Sequence, residues 1–111
     1  MKSTEEVLDH HIQAFEEGLD SILSDYDENS CIMSPQGTFR GLDEIRDFYN
    51  AFVGALPEDF LDVFHITYSD VDGEVAYIVW EALPWFPLGT DTFIIQDGKI
   101  LYQTFAANEA S

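Results

Sequence analysis

The stretch GTDTFIIQDGKI, residues 89–100, places a carboxylate inside an apolar strand. Asp91 alternates with Phe93 and Ile95, so the three share one face of that strand. On an inward face a carboxyl group loses the hydration of its charged form, which raises its pKa. It can then donate a hydrogen bond to a developing oxyanion or act as a general acid/base. The alternative is a solvated Asp near the strand's start, or one capping a local turn beside Thr90 and Thr92. His11 is the second candidate. It lies on one helical stripe with Leu8 and Phe15, so it faces the interior, while His10 lies off the stripe in solvent. An imidazole there either is a satisfied core group or carries a proton. If His11 and Asp91 met, the pair would hold Asp91 ionised; buried alone, Asp91 would be neutral. The sequence leaves both open.

Other polar groups are fewer. Gln103 alternates with Leu101 and Phe105 and supplies an amide if that face lines a cavity. Ser34, before Pro35, is either a binding hydroxyl or a turn residue. Phe15, Tyr26, Phe52, Trp80 and Trp85 are candidate walls. A pocket with aromatic walls and few polar groups suits a flat, apolar small molecule. His65 is read as structural, on a strand face with Val63 and Thr67. No metal-ligand spacing links the histidines to the single Cys31, so no metal site is expected. No Gly-rich phosphate loop or nucleophile elbow occurs, and no cofactor is expected.

The elements that must position these groups follow from periodicity. Ser3-Thr4-Glu5-Glu6 reads as a capping box opening a helix that carries Leu8, His11, Ile12 and Phe15. Gly18 ends it, and a short second helix carries Leu19, Ile22, Leu23 and Tyr26. Cys31-Ile32-Met33 is a short strand stopped by Ser34-Pro35. Gly41 precedes a helix with the stripe Leu42, Ile45, Phe48, Tyr49, Phe52 and Val53, closed by Gly54 and Pro57. The period then changes to two, with strands over 62–71, 74–85, 90–96 and 99–107. They are joined at Asp72-Gly73, at 84–89 and at Asp97-Gly98. The order predicts one α+β domain over 1–111, a curved, mainly antiparallel sheet around helices that encloses a cone-shaped cavity. In strand 74–85, Ile78, Trp80 and Ala82 face one way and Tyr77, Val79 and Leu83 the other. Apolar residues on both faces predict a homodimer.

The chain holds 22 acidic and 4 basic residues among 111, a net charge of −18. That balance argues against nucleic acid and against anionic membrane surfaces as partners. The acids are scattered, which fits a solvated surface or one adapted to high salt. No apolar run is long enough to span a membrane. The first residues, MKSTEEVLDHH, lack the apolar core of a secretory signal, so a cytoplasmic location is expected.

Several stretches in order resemble the nuclear transport factor two-like superfamily, the cone-shaped α+β domains that include SnoaL-like polyketide cyclases and ketosteroid isomerases. They are HHIQAFEEGLDSILSDY, SCIMSPQGTFRGLDEIRDFY, VDGEVAYIVWEA and GTDTFIIQDGKILYQTF. The resemblance implies a single domain with a cystatin-like α+β barrel roll and an apolar small-molecule pocket. It implies that Asp91 occupies the oxyanion-hole position, where ketosteroid isomerases keep a carboxylic acid neutral. His11 falls where those isomerases carry a Tyr, and Ser34 where they carry the proton-shuttling acid. One functional position is kept, one is exchanged and one is lost. Two readings follow. The chain is an acid/base catalyst, isomerase-, cyclase- or hydrolase-like, using Asp91 and His11 on an apolar or polycyclic substrate. Or it is a non-catalytic dimeric binding module built on the same cone.

Overall fold

A computed structural model describes residues 2–109. Ser3 caps helix α1 (Thr4–Glu17) in both directions: its side chain accepts from the Glu6 amide, and the Glu6 carboxylate accepts from the Ser3 amide. Gly18, at φ 118° and ψ 177°, adopts a backbone that side chains disfavour and breaks the chain into α2 (Leu19–Leu23). β1 (Cys31–Ser34) and β2 (Gly37–Arg40) form a small hairpin, and α3 (Gly41–Ala55) follows at once. A further short helix, α4 (Phe60–Val63), leads into the meander β3 (Phe64–Asp72), β4 (Val75–Ala82), β5 (Phe86–Gln96) and β6 (Lys99–Asn108).

The sheet has six strands in the order β2-β1-β6-β5-β4-β3. Only β1 with β6 is parallel; every other pair is antiparallel. Register shifts interrupt the ladders near Ile66, near Trp80 and near Ile94. Such bulges sharpen local twist and bend a sheet. The sheet stays open and folds α1 and α3 against its inner face, giving the expected α+β cone.

Burial along β4 alternates cleanly, with Ala76, Ile78, Trp80 and Ala82 inside. The core joins these to Val7, Leu8 and Ala14 of α1, to Ile45, Phe48 and Tyr49 of α3, and to Phe93, Ile95 and Ile100. Cys31 is a buried free thiol in β1.

Boundaries differ from expectation near the third helix. Residues 60–63 turn as a helix, so β3 begins at Phe64 and Val63 is not on a strand face with His65. Phe60 drives this turn by burying its ring against Trp80 at 5.9 Å between centroids. β4 stops at Ala82, which leaves Leu83 exposed in a turn, and β5 begins as early as Phe86. Among the described residues no helix is long and apolar enough to cross a membrane.

Candidate functional site

Strand register decides where Asp91 looks. It stands opposite Ile78 on β4 and Phe105 on β6, both inward. Its diagonal neighbours are Trp80, paired with Gly89, and Gln103, paired with Phe93. Diagonal positions on one sheet face lie within reach of long side chains. Accordingly Trp80 Nε1 donates to Asp91 Oδ1 at 2.9 Å, and Gln103 Nε2 donates to Asp91 Oδ2 at 2.8 Å. Gly89 makes the first contact possible. A Cβ at that position would lie 2.1 Å from the indole, so only glycine lets Trp80 lie flat on β5.

Asp91 is 8% exposed, and burial raises its pKa above the ordinary value. The Trp80 and Gln103 hydrogen bonds and the nearby His11 oppose that rise more weakly. His11 does not bond to Asp91. The direct acid–base pair is absent, and the reading of Asp91 as a desolvated acid is the one the geometry favours.

A buried hydrogen-bond chain runs from Gln103 to α1. The Tyr26 hydroxyl donates to Gln103 Oε1. The Tyr26 and Tyr49 hydroxyls are 2.6 Å apart, and Tyr49 Oη lies 3.4 Å from His11 Nε2. Proton counting fixes the Gln103 end of this chain. The Gln103 amide is placed with its nitrogen toward Asp91, and its oxygen faces Tyr26 and takes the Tyr26 proton. With the Tyr26 proton on Gln103, the Tyr49 proton can go to Tyr26 or to Gln103 Oε1, 3.5 Å away, and Tyr49 Oη faces His11 Nε2. Burial pushes both phenols well above their usual pKa, so they stay protonated donors.

Asp25 lies beside the His11 end of the chain and was not singled out by sequence. It follows α2, is 2% exposed, and is pinned where its carbonyl accepts from the Ile100 amide at 2.8 Å. His10 Nδ1 lies 2.7 Å from Asp25 Oδ1. His11 Nδ1 lies 3.4 Å from Asp25 Oδ2, within ion-pair range but not aligned as a hydrogen bond. His10, expected to be free in solvent, is therefore tied to a buried carboxylate. The only cue was a polar SDYDENS run, which reads as a turn.

Between the sheet and α1, α3 and α4 lies a cavity of about 70 Å³. His11, Phe15, Phe52, Trp80, Asp91 and Gln103 all line it, together with Tyr49, Phe60 and Phe93. Three expected residues, Tyr26, Ser34 and Trp85, do not. Tyr26 sits behind the wall, in the hydrogen-bond chain. Ser34 lies in the β1–β2 hairpin, where its hydroxyl donates to the Gly37 carbonyl at 3.2 Å and accepts from the Gln36 amide. It is a turn residue because Pro35 and Gly37 close a tight hairpin around it. His65 is exposed, and Trp85 lines a separate outer groove. Among the described residues no cluster of His, Cys, Asp and Glu could hold a metal.

An open, curved six-stranded sheet over an N-terminal helix pair, with a polar cluster on its inner wall, defines the SnoaL-like, NTF2-like α+β cone. Solved structures agree. A candidate polyketide cyclase from Sinorhizobium meliloti matches with TM-score 0.73 and 18% identity, over 89% of this chain and 92% of that one. A candidate ketosteroid isomerase from Kribbella flavida matches with TM-score 0.73 and 16% identity, over 97% of this chain and 79% of that one. A SnoaL-like protein of unknown function from Burkholderia thailandensis matches with TM-score 0.73 and 18% identity, over 97% and 95%. At such identities the likeness is one of fold. No protein-family model matches the sequence, and comparison with curated proteins finds no match.

Proposed function

We propose that this domain binds a small apolar molecule in its cone and acts on an oxygen of that molecule by acid/base chemistry at Asp91. One observation carries the reading. Both protein partners of the Asp91 carboxyl are donors: the Trp80 indole has no acceptor, and the Gln103 oxygen is turned away toward Tyr26. Burial favours the protonated acid more strongly than these two donors favour the ionised one, and among the described residues neither partner, as placed, accepts that proton. A neutral Asp91 thus has a hydrogen to offer into the cavity, to a carbonyl, enol or hydroxyl oxygen. Such a donor in a dry site stabilises a developing oxyanion strongly. His11, with Nε2 3.4 Å from Tyr49 Oη, is the second polar group on the cavity wall and is linked to Gln103 through the two phenols. The solved structures of the same fold described as a candidate isomerase and a candidate cyclase are consistent with this class of chemistry.

The test is turnover or binding of neutral oxygen-bearing aromatics by wild type and Asp91→Asn. Asn keeps the shape but donates through an amide and cannot transfer a proton. Turnover should disappear while the fold persists. Undiminished turnover would remove Asp91 from the chemistry, and ligand binding without turnover by either protein would support the non-catalytic module.

A homodimer through the outer sheet face is part of this proposal. Val75, Ile94 and Tyr102 form one cross-strand row there, and Tyr77, Thr92 and Thr104 the next. Over β4, β5 and β6 these rows carry no charge in a chain of net charge −18, they end on β3 at Asp72 and Asp70, and Tyr102 is 44% exposed. Uncharged, partly aromatic surface of this kind marks protein interfaces. Light scattering should give twice the chain mass, and Thr92→Glu should give the monomer. A clean wild-type monomer at micromolar concentration sinks the dimer.

A further inference from the structure

The inner cavity, at about 70 Å³, is smaller than the roughly 150 Å³ that takes benzene and the roughly 300–1,000 Å³ of ordinary ligand sites. A second hollow adjoins it. This outer groove, of about 540 Å³, runs along α3 past Phe39, Ala51, Leu56 and Trp85. Phe48, Phe52 and Phe105 wall both spaces. Phe52 and Phe105 meet edge to face with centroids 5.2 Å apart, and both are only half-buried. The partition is therefore aromatic, with Phe48 buried and Phe52 and Phe105 half-buried. Trp85 is 42% exposed yet fixed, because its Nε1 donates to Asp59 Oδ1 at 2.9 Å. An exposed indole held in place is a wall of a groove.

We propose that the cavity and the groove are one bipartite site for an elongated neutral or cationic molecule. An oxygen-bearing ring sits against Asp91 with Phe52 and Phe105 turned aside. A second apolar ring or chain lies along α3 in the outer groove. This rests on the proposed role of Asp91 and adds the shape and charge of the ligand. Charge excludes anions: the groove is lined by Asp47 and Glu109 and by no basic residue, and the net charge of −18 repels an approaching anion.

Calorimetric titration of the full chain with phenol, 4-phenylphenol and 4′-hydroxybiphenyl-4-carboxylate tests it. The neutral biaryl should bind at least about tenfold tighter than phenol, and the carboxylate should lose that gain at low salt. Ala51→Trp, which fills the groove from an exposed helix position, should cancel the gain of 4-phenylphenol over phenol. Ala55→Trp repeats the test at a second exposed groove position in case the first variant misfolds. Asp91→Asn should weaken both neutral probes alike. Equal binding of phenol and 4-phenylphenol, or a gain that survives both groove-filling variants, overturns the bipartite site and leaves the role of Asp91 standing. Unchanged binding of both neutral probes by Asp91→Asn overturns the role of Asp91, whatever the groove-filling variants do. Tightest binding by the carboxylate overturns the charge preference, and no binding of any probe at millimolar concentration overturns both proposals.

Discussion

Gln103 Nε2 donates to Asp91 Oδ2 at 2.8 Å across two antiparallel strands, from a position diagonal to it. The same amide accepts from Tyr26 with its oxygen. One side chain thus joins the acid in the cavity wall to the phenols beneath α1. Replacing it with the near-isosteric Gln103→Met leaves a buried carboxyl and a buried phenol each short of a partner. An unmet buried polar group costs about 1–3 kcal/mol. We expect a loss of that order in urea denaturation, and an Asp91 pKa raised further because a lowering hydrogen bond is gone. A stability equal to wild type would show that the amide is replaceable by solvent.

Asp91 itself sets a pH dependence of unusual sign for a carboxylate. Its folded pKa is raised, first by desolvation. Between the unfolded and the folded pKa the native state binds more protons than the unfolded chain, so stability falls as pH rises. The contribution is fully present below the unfolded pKa and is lost as pH climbs through the folded one. Asp91→Asn removes this term. The stability difference, Asn variant minus wild type, should therefore grow from about pH 4 upward and then level off. Denaturation curves of both proteins across that range check it; a difference independent of pH would mean that Asp91 is not desolvated.

The parts of this site legible in the sequence are those set by local period. Asp91 stood out because strand alternation puts it on the face of Phe93 and Ile95, and His11 because it shares a stripe with Leu8 and Phe15. Gly18 was legible as a break for the same local reason. Asp25 was not, because its importance arises from α2 ending against β6, a contact between residues 75 apart in sequence (Asp25 and Ile100). Tyr49 read as one more core residue of its helix stripe, since spacing cannot tell a buried phenol in a network from a buried ring. The short helix at 60–63 is too brief for any period to show; tertiary burial of Phe60 decides it. Ser34 was taken from a family position, and hairpin geometry turned it to the backbone instead.

Gly89 offers a direct test of how the Trp80–Asp91 contact is built. The indole occupies the space of the missing side chain, and a methyl there would lie 2.1 Å from its ring. Gly89→Ala must push Trp80 aside and stretch its 2.9 Å hydrogen bond to Asp91. Overpacking of this kind costs about 1–3 kcal/mol. Beyond that loss, Trp80 fluorescence should change and binding of oxygen-bearing aromatics should weaken, a readout that destabilisation alone would not move when measured on the fully folded protein. Unaltered fluorescence and binding would show that the indole's position does not depend on Gly89.

Salt should stabilise this protein. Its net charge is −18, and among the described residues the only Lys or Arg paired with a carboxylate is Arg46, 3.7 Å from an exposed Asp20. A surface pair of that kind contributes little. Most of the remaining acids are exposed, and their mutual repulsion is relieved in the unfolded chain, where they are farther apart. Raising monovalent salt shortens the screening length from about 10 Å at 0.1 M to about 3 Å at 1 M, which weakens that repulsion. The melting temperature should therefore rise over this interval in sodium chloride. It should rise less in a variant with several exposed carboxylates changed to amides. A melting temperature that falls with added salt would show that attraction, not repulsion, dominates the surface, and would remove the case for a chain suited to high ionic strength.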